Sequence, residues 1–333
     1  MDWPLPIRVL LLPLSWIYGL GVRCKALLYT TGIISQKRLK GQVISVGNLT
    51  VGGTGKTPMV LWLAEKFLAD GKRVAILSRG YRGSHGTSDE IELLKKRLGD
   101  RVRFGVGADR FAAGQMIEQE RPVDIFLLDD GYQHLALARD VNILLIDSSR
   151  PLRKEFLLPA GRLREPMSAM SRADLAVFTR MQGTPSVVSA IQNFPSLPIF
   201  PAGTRLSGLR RVGTATKAWP VSDLPQPVVA FCGIGNPGAF FSDLDRWGVA
   251  VAATASFPDH HSYTSDDARR LEELARTSNA KEFVTTEKDV QNLGQARFSL
   301  PVYCCEIEMD VADEAQFWKL IQRSVDAKAG APL

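Results

Sequence analysis

The chain has 333 residues and a mass of 36.6 kDa, with 45% hydrophobic, 23% charged and 8% aromatic residues, which excludes a disordered, collagenous or disulfide-scaffold protein. Its formal net charge is +6, and +5 of this falls in residues 1–40, where Arg8, Arg23, Lys25, Lys37, Arg38 and Lys40 stand against Asp2 alone. The rest of the chain is therefore near neutral, which argues against a general nucleic-acid coat. The length predicts about two domains. Cys24, Cys232, Cys304 and Cys305 show no metal-ligand spacing, so a reducing compartment is expected, with Cys304 and Cys305 as core residues of an apolar strand.

The first feature along the chain is an uncharged run, Val9–Val22, with Arg8 before it and Arg23 and Lys25 after it. It is shorter than the roughly 20 apolar residues needed to span a bilayer, and Pro13 is expected to interrupt it. Trp3, Trp16, Tyr18 and Tyr29 among leucines and flanking cations suit an amphipathic stretch lying in the headgroup region. A signal peptide and a helix packed on the protein's own core are the alternatives.

Next, Gln42–Asn48 reads as a buried strand, followed by a glycine-rich turn and a helix expected to begin near Lys56, with Val60, Leu61, Leu63, Ala64, Phe67 and Leu68 at helical spacing. Strand, turn and helix opening on Gly55-Lys56-Thr57 are the context of a phosphate-binding P-loop, Thr50, Val51, Gly52, Gly53, Thr54, Gly55, Lys56 and Thr57. Glycines let backbone N–H groups curl around phosphate oxygens at the positive end of a helix. Lys56 would reach the β- and γ-phosphates, and the Thr57 hydroxyl would ligate Mg²⁺. The first glycine of the usual pattern is replaced by Thr50.

A second buried strand, Val123–Leu128, runs into Asp129-Asp130-Gly131-Tyr132-Gln133-His134. An aspartate at the C-terminal end of such a strand is the expected position for holding Mg²⁺; either Asp129 or Asp130 serves, and the other carboxylate takes a different partner.

GNLTVGGTGKTP, SRGYRG, SDE, GVGADR, DDGYQH, LLPAGRLREP, CGIGNPGAFF, FPDHHSY and TTEKD follow in that order. In these motifs the chain resembles the tetraacyldisaccharide 4′-kinases of lipid A synthesis, from about Pro13 to Phe317. The acidic pair of that family usually stands in GDEP, whereas here it is Ser88-Asp89-Glu90-Ile91. The resemblance implies an α/β protein: a P-loop NTPase α/β/α domain and a smaller Rossmann-like α/β domain joined by a β-ribbon hinge. The boundaries expected are a membrane-interface segment at 1–30, the P-loop kinase domain at 31–200, a linker and ribbon at 201–226, and a domain closing on the nucleotide at 227–333. Strands are readable at Arg73–Leu77, Val141–Ile146, Leu175–Thr179, Val228–Cys232, Phe283–Thr286 and Val302–Glu306. The ribbon is expected from Pro198–Arg205 and Leu209–Thr214.

The activity implied is transfer of the γ-phosphate of ATP, with Mg²⁺, to the 4′-hydroxyl of a tetraacyldisaccharide 1-phosphate, giving lipid IVA. The work would be done by a monomer on the cytoplasmic face of the bacterial inner membrane. By its match to the family's acidic pair, Asp89 is the expected proton acceptor, beside Glu90, with His260 of FPDHHSY as its partner and Lys56 completing the catalytic group. His261 is the lesser candidate, and His85 reads as structural. Weaker roles at substrate or metal fall to Arg79, Tyr81, Gln133, His134, Arg164 and Glu165. Thr286-Glu287-Lys288-Asp289 is expected to give nucleotide or hinge contacts. The competing reading is a P-loop switch or assembly factor. That class calls for metal-binding Cys/His clusters or an [NT]-K-x-D guanine motif, which T-E-K-D misses by one place.

Overall fold

The computed structural model describes residues 3–80, 89–149, 155–180, 194–214, 219–294 and 296–329. Two compact units divide the chain: 1–87, 94–203 and 310–333 form unit 1, and 88–93 with 204–309 form unit 2.

Unit 1 opens with helix α1 (Leu5–Thr30), followed by β1 (Gln42–Asn48), α2 (Lys56–Ala69) and β2 (Val74–Ser78). After α3 (Asp89–Leu98), whose first turn belongs to unit 2, come β3 (Arg103–Val106), α4 (Arg110–Glu120), β4 (Ile125–Asp129), β5 (Val141–Asp147), β6 (Leu175–Thr179) and the start of β7 (Ile199–Arg211). The strands lie in the order β3-β2-β4-β1-β5-β6-β7 and are parallel throughout. A parallel sheet covered on both faces needs strands apolar on both faces. β2, β4 and β6 accordingly bury all five of their residues, and β1 all but Gln42. The order reverses around β1, so the C-terminal ends of β1 and β4 flank the crevice where parallel sheets take their ligands.

Unit 2 carries β8 (Val228–Cys232), α5 (Pro237–Arg246), β9 (Val251–Ser256), α6 (Ser265–Thr277), β10 (Glu282–Thr286), α7 (Glu287–Asn292) and most of β11 (Val302–Val311). Its strands follow the order β11-β10-β8-β9, all parallel. Phe231 and Phe283 are buried on one face with Tyr263, and Cys232, Val284 and Cys305 on the other with Phe240 and Leu244. Cys304 and Cys305 are buried thiols outside any disulfide, as expected of core residues.

Three sequence expectations change. The ribbon is not a pair made within 198–214, because β7 runs unbroken over 13 residues and its partner is β11. Val212 N donates to Val302 O at 2.8 Å, and Arg210 and Arg205 pair with Glu306 and Glu308, so the two strands run antiparallel. The last helix, α8 (Glu314–Ala329), belongs to unit 1, not to the smaller domain. Its Phe317 and Trp318 pack on Trp62, and Trp318 also meets Phe67, both of α2, with ring centroids 4.7–5.8 Å apart.

Finally, Pro13 does not interrupt α1, which continues for 26 residues and becomes long and apolar enough to cross a bilayer by length and composition. A proline inside a helix removes one N–H and crowds a carbonyl one turn back. Here α1 is docked along its length on the rest of unit 1. Trp3 Nε1 donates to Pro159 O, Ser15 Oγ to Leu157 O, and Tyr18 Oη to Arg164 O at 2.9–3.2 Å. A Cβ on Gly19 would stand 2.6 Å from Leu157, so glycine permits the close approach. The opposite face exposes Leu10, Leu14, Trp16, Ile17, Leu20 and Leu27, with Leu10 and Trp16 each 77% accessible.

Candidate active site

The phosphate loop links β1 to α2 in a conformation that explains its residue types. Only Gly52 (φ +117°) and Gly55 (φ +88°) of the loop have positive φ, and Gly55 caps α2 in the left-handed region. Thr50 stands where glycine is usual because its backbone forms an antiparallel bridge with Leu163. Val51 N donates to Arg162 O at 2.8 Å and Arg164 N to Leu49 O at 2.7 Å, so an extended, β-branched residue suits the place. The carbonyls of the loop are held from behind. Arg180 Nη1 donates to Gly53 O at 2.8 Å and to Asp147 at 2.6 Å, and Thr179 Oγ1 donates to Thr54 O at 3.2 Å. Thr54 and Thr57 are buried.

Asp129 ends β4 and is buried, whereas Asp130 turns away with φ +51°. Asp130 meets Arg164 at 2.7 and 2.9 Å and Lys56 at 3.7 Å. Burial opposes its charge, but Lys56 and Arg164 prevail and hold the carboxyl below its ordinary range. Gln133 Nε2 donates to Asn48 O at 2.8 Å and to Glu165 at 3.2 Å, and Arg172 donates to Glu165 at 2.6 Å. The chain thus brings Lys56, Asp130, Gln133, Arg164 and Glu165 into one bonded group beside the loop. His134 lies beyond it; burial, with Arg110, Lys25 and Arg139 adding to it, holds the imidazole down to about 4. It is therefore neutral at neutral pH. Arg79 follows β2 on the exposed surface. Tyr81 and His85 lie outside the described residues.

Unit 2 holds the second group. His260 Nδ1 lies 2.8 Å from Asp89 Oδ2, and Asn292 Nδ2 donates to the same oxygen at 3.0 Å. Lys288 donates to Glu90 at 2.6 Å. Burial pushes Glu90 up, but the Lys288 charge outweighs it and the carboxyl lies below its ordinary range; the same pairing lifts Lys288 despite burial. His261 faces Asp267 at 3.0 Å instead, which leaves His260 as the partner of Asp89. Nothing local in the sequence marks Asn292, Arg172 or Arg180. Lys288 and Asp289 were singled out, but their bonds go to Glu90, Gly233 and Tyr263.

The chain matches the family described as Tetraacyldisaccharide-1-P 4′-kinase over residues 7–326. The chain belongs to this family. A tetraacyldisaccharide 4′-kinase of Geobacter metallireducens is 43% identical over 327 residues, covering 92% of this chain and 95% of the relative. That of Geobacter sulfurreducens is 42% identical, covering 92% and 90%. The crystal structure of LpxK from Aquifex aeolicus in complex with ATP superposes with a TM-score of 0.74 at 31% identity, covering 96% of this chain and 99% of that one. The chain is thus an ATP-dependent kinase of lipid A biosynthesis with the fold expected from its motifs. The switch-factor reading is not favoured. Among the described residues no cluster of three His, Cys, Asp or Glu could hold a metal, and both Asp289 oxygens are committed inside unit 2.

Proposed function

We propose that the Thr50–Thr57 loop holds the ATP triphosphate and that Lys56 balances charge on the β- and γ-phosphates during transfer to the 4′-hydroxyl of a tetraacyldisaccharide 1-phosphate. The bond from Pγ to the bridging oxygen of ADP breaks as the bond from Pγ to the acceptor oxygen forms. The hydroxyl proton passes to Asp89, which His260 and Asn292 orient through Oδ2. Arg164 and Gln133, tied to Asp130 and Glu165, shape the acceptor side of the loop.

Oxygen donors fit Mg²⁺, which keeps waters and substrate phosphates and so needs only one or two protein carboxylates. Asp129, buried where β4 ends beside the loop, and the Thr57 hydroxyl are the oxygen donors that would hold the ion. When bound, it neutralises phosphate charge.

The exposed apolar face of α1, flanked by Arg8, Arg23 and Lys25, supports attachment to the cytoplasmic face of the inner membrane, where an acylated acceptor resides.

The observation that carries this reading is the 2.8 Å Asp89–His260 contact in a chain that also owns a complete phosphate loop. Labelled ATP and the acylated disaccharide 1-phosphate in anionic vesicles provide the test. Label should appear on the 4′-oxygen of the distal sugar; label released only as inorganic phosphate refutes the reading.

A further inference from the structure

The TTEKD motif ends on a side chain with no part in phosphate chemistry. Asp289 is 1% exposed, and its carboxylate accepts three bonds. Oδ1 takes Gly233 N at 2.7 Å and Tyr263 Oη at 2.8 Å, and Oδ2 takes Thr286 Oγ1 at 2.5 Å. Burial first, and the Asp289 charge second, push the Tyr263 phenol far above its ordinary range, so it remains a donor. Gly233 continues the connection: its carbonyl accepts His260 N at 3.1 Å. A Cβ at Gly233 would stand 2.8 Å from Pro258 O, so the turn closes tightly there. His260 itself is held at φ +60°, a conformation that non-glycine residues adopt only when their surroundings enforce it. The same short helix, α7, sends Lys288 to Glu90 and Asn292 to Asp89.

We propose that Asp289 is a positioning residue for the proton-accepting pair: it fixes Gly233, and through Gly233 the left-handed backbone of His260, so that the imidazole meets Asp89. This rests on the role given to Asp89 and His260 under Proposed function. Leaving a buried N–H and a buried phenol without an acceptor would release the turn, and a misplacement of about 1 Å at a catalytic group costs on the order of 10²-fold in rate.

The experiment uses the full chain with ATP and the acylated acceptor in vesicles. Asp289→Ala, Asp289→Asn, Tyr263→Phe and His260→Ala are compared in kcat, in ATP Kd, and in the ring-nitrogen NMR signals of His260, one of four histidines. Asp289→Ala should lower kcat on the order of 10²-fold, leave ATP Kd unchanged, and move the His260 ring signals to where Asp89→Asn puts them. Asp289→Asn should restore most of the rate, because its oxygen still accepts from Gly233 and Tyr263 while its amide donates to Thr286. Unmoved His260 signals, or no rescue by asparagine, overturn the proposal. Should the alanine variant not fold, Tyr263→Phe decides: it should lower kcat and shift the His260 ring, and leaving both unchanged overturns the proposal. Normal turnover of His260→Ala would instead remove the pair's catalytic role. A slow His260→Ala beside an unaffected Tyr263→Phe and Asp289→Ala would sink the positioning role alone.

Discussion

The phosphate loop of unit 1 is built from consecutive residues, whereas the Asp89–His260 pair of unit 2 joins side chains 171 positions apart. The loop is shaped by backbone: two left-handed glycines, a bridge at Thr50 and carbonyls held by Arg180 and Thr179. The pair rests on more distant side chains: from a helix of six residues Asn292 reaches Asp89, and Asp289 holds Gly233, whose carbonyl accepts His260 N. A backbone site binds whatever phosphate enters it and tolerates exchange of most side chains outside its special φ values. A side-chain site loses its geometry when any one supporting bond is removed. Loss of binding and loss of chemistry should therefore separate between the two regions.

Lys56→Ala gives the largest expected effect in unit 1. Removing one preorganised group facing developing charge costs about 10²–10³-fold in rate, and ATP affinity should fall with it because Lys56 also faces the phosphates before transfer, though less strongly than in the transition state. Initial rates and ATP titration of the same variant check this; normal turnover would end the P-loop assignment. Gly55→Ala should follow, since a Cβ at φ +88° costs about 1 kcal/mol or more, with equilibrium ATP binding weakened about fivefold or more. Binding equal to the parent would mean that the loop does not need its left-handed cap.

The third expected effect concerns α1. Replacing Leu14, Trp16 and Leu20 with serine strips apolar groups worth about 1.5–3 kcal/mol each when fully buried, so partition into anionic vesicles should fall about tenfold or more. Solution turnover with a soluble acceptor should hardly change. Unaltered sedimentation with vesicles would detach this face from the membrane.

The smallest effect is on stability. His134 is held down to about 4 from 6.5, so the unfolded chain takes up a proton before the folded one as pH falls. Stability is fully present above about pH 6.5, declines between 6.5 and 4, and does not change further below that for this group. The loss is at most about 3 kcal/mol, and less because the ring is partly exposed. Urea unfolding across that range should show the parent losing stability relative to His134→Gln as pH falls from 6.5 to 4; parallel curves would show that the ring is not held neutral.

These contrasts also explain what was legible in the sequence. β1, β6, β8 and the start of α2 fall where their apolar runs and glycine punctuation put them, because parallel strands buried on both faces advertise themselves. β3 is four residues long and β9 reads Val-Ala-Ala-Thr-Ala-Ser, so neither carries a strong β pattern, and both pass unseen. The strand pair expected at Pro198–Arg205 and Leu209–Thr214 is one unbroken β7, because pairing with β11 overrides the interruption around Gly208. The course of α1 through Pro13 depends on its docking to Leu157 and Pro159, which no local pattern records. Asp89 and His260 were reached through family resemblance; Asn292 lies 203 positions from Asp89, with no motif to announce it.

The division of labour is tested most directly by Asp89→Asn, measured for kcat and for ATP Kd on the same preparation. The amide keeps the shape of the side chain but removes the proposed proton acceptor; a general base contributes about 10²–10⁴-fold to rate. The account predicts a kcat lowered on that scale with ATP Kd equal to the parent's. A variant that turns over normally, or one that loses ATP affinity in proportion to its rate, would contradict it.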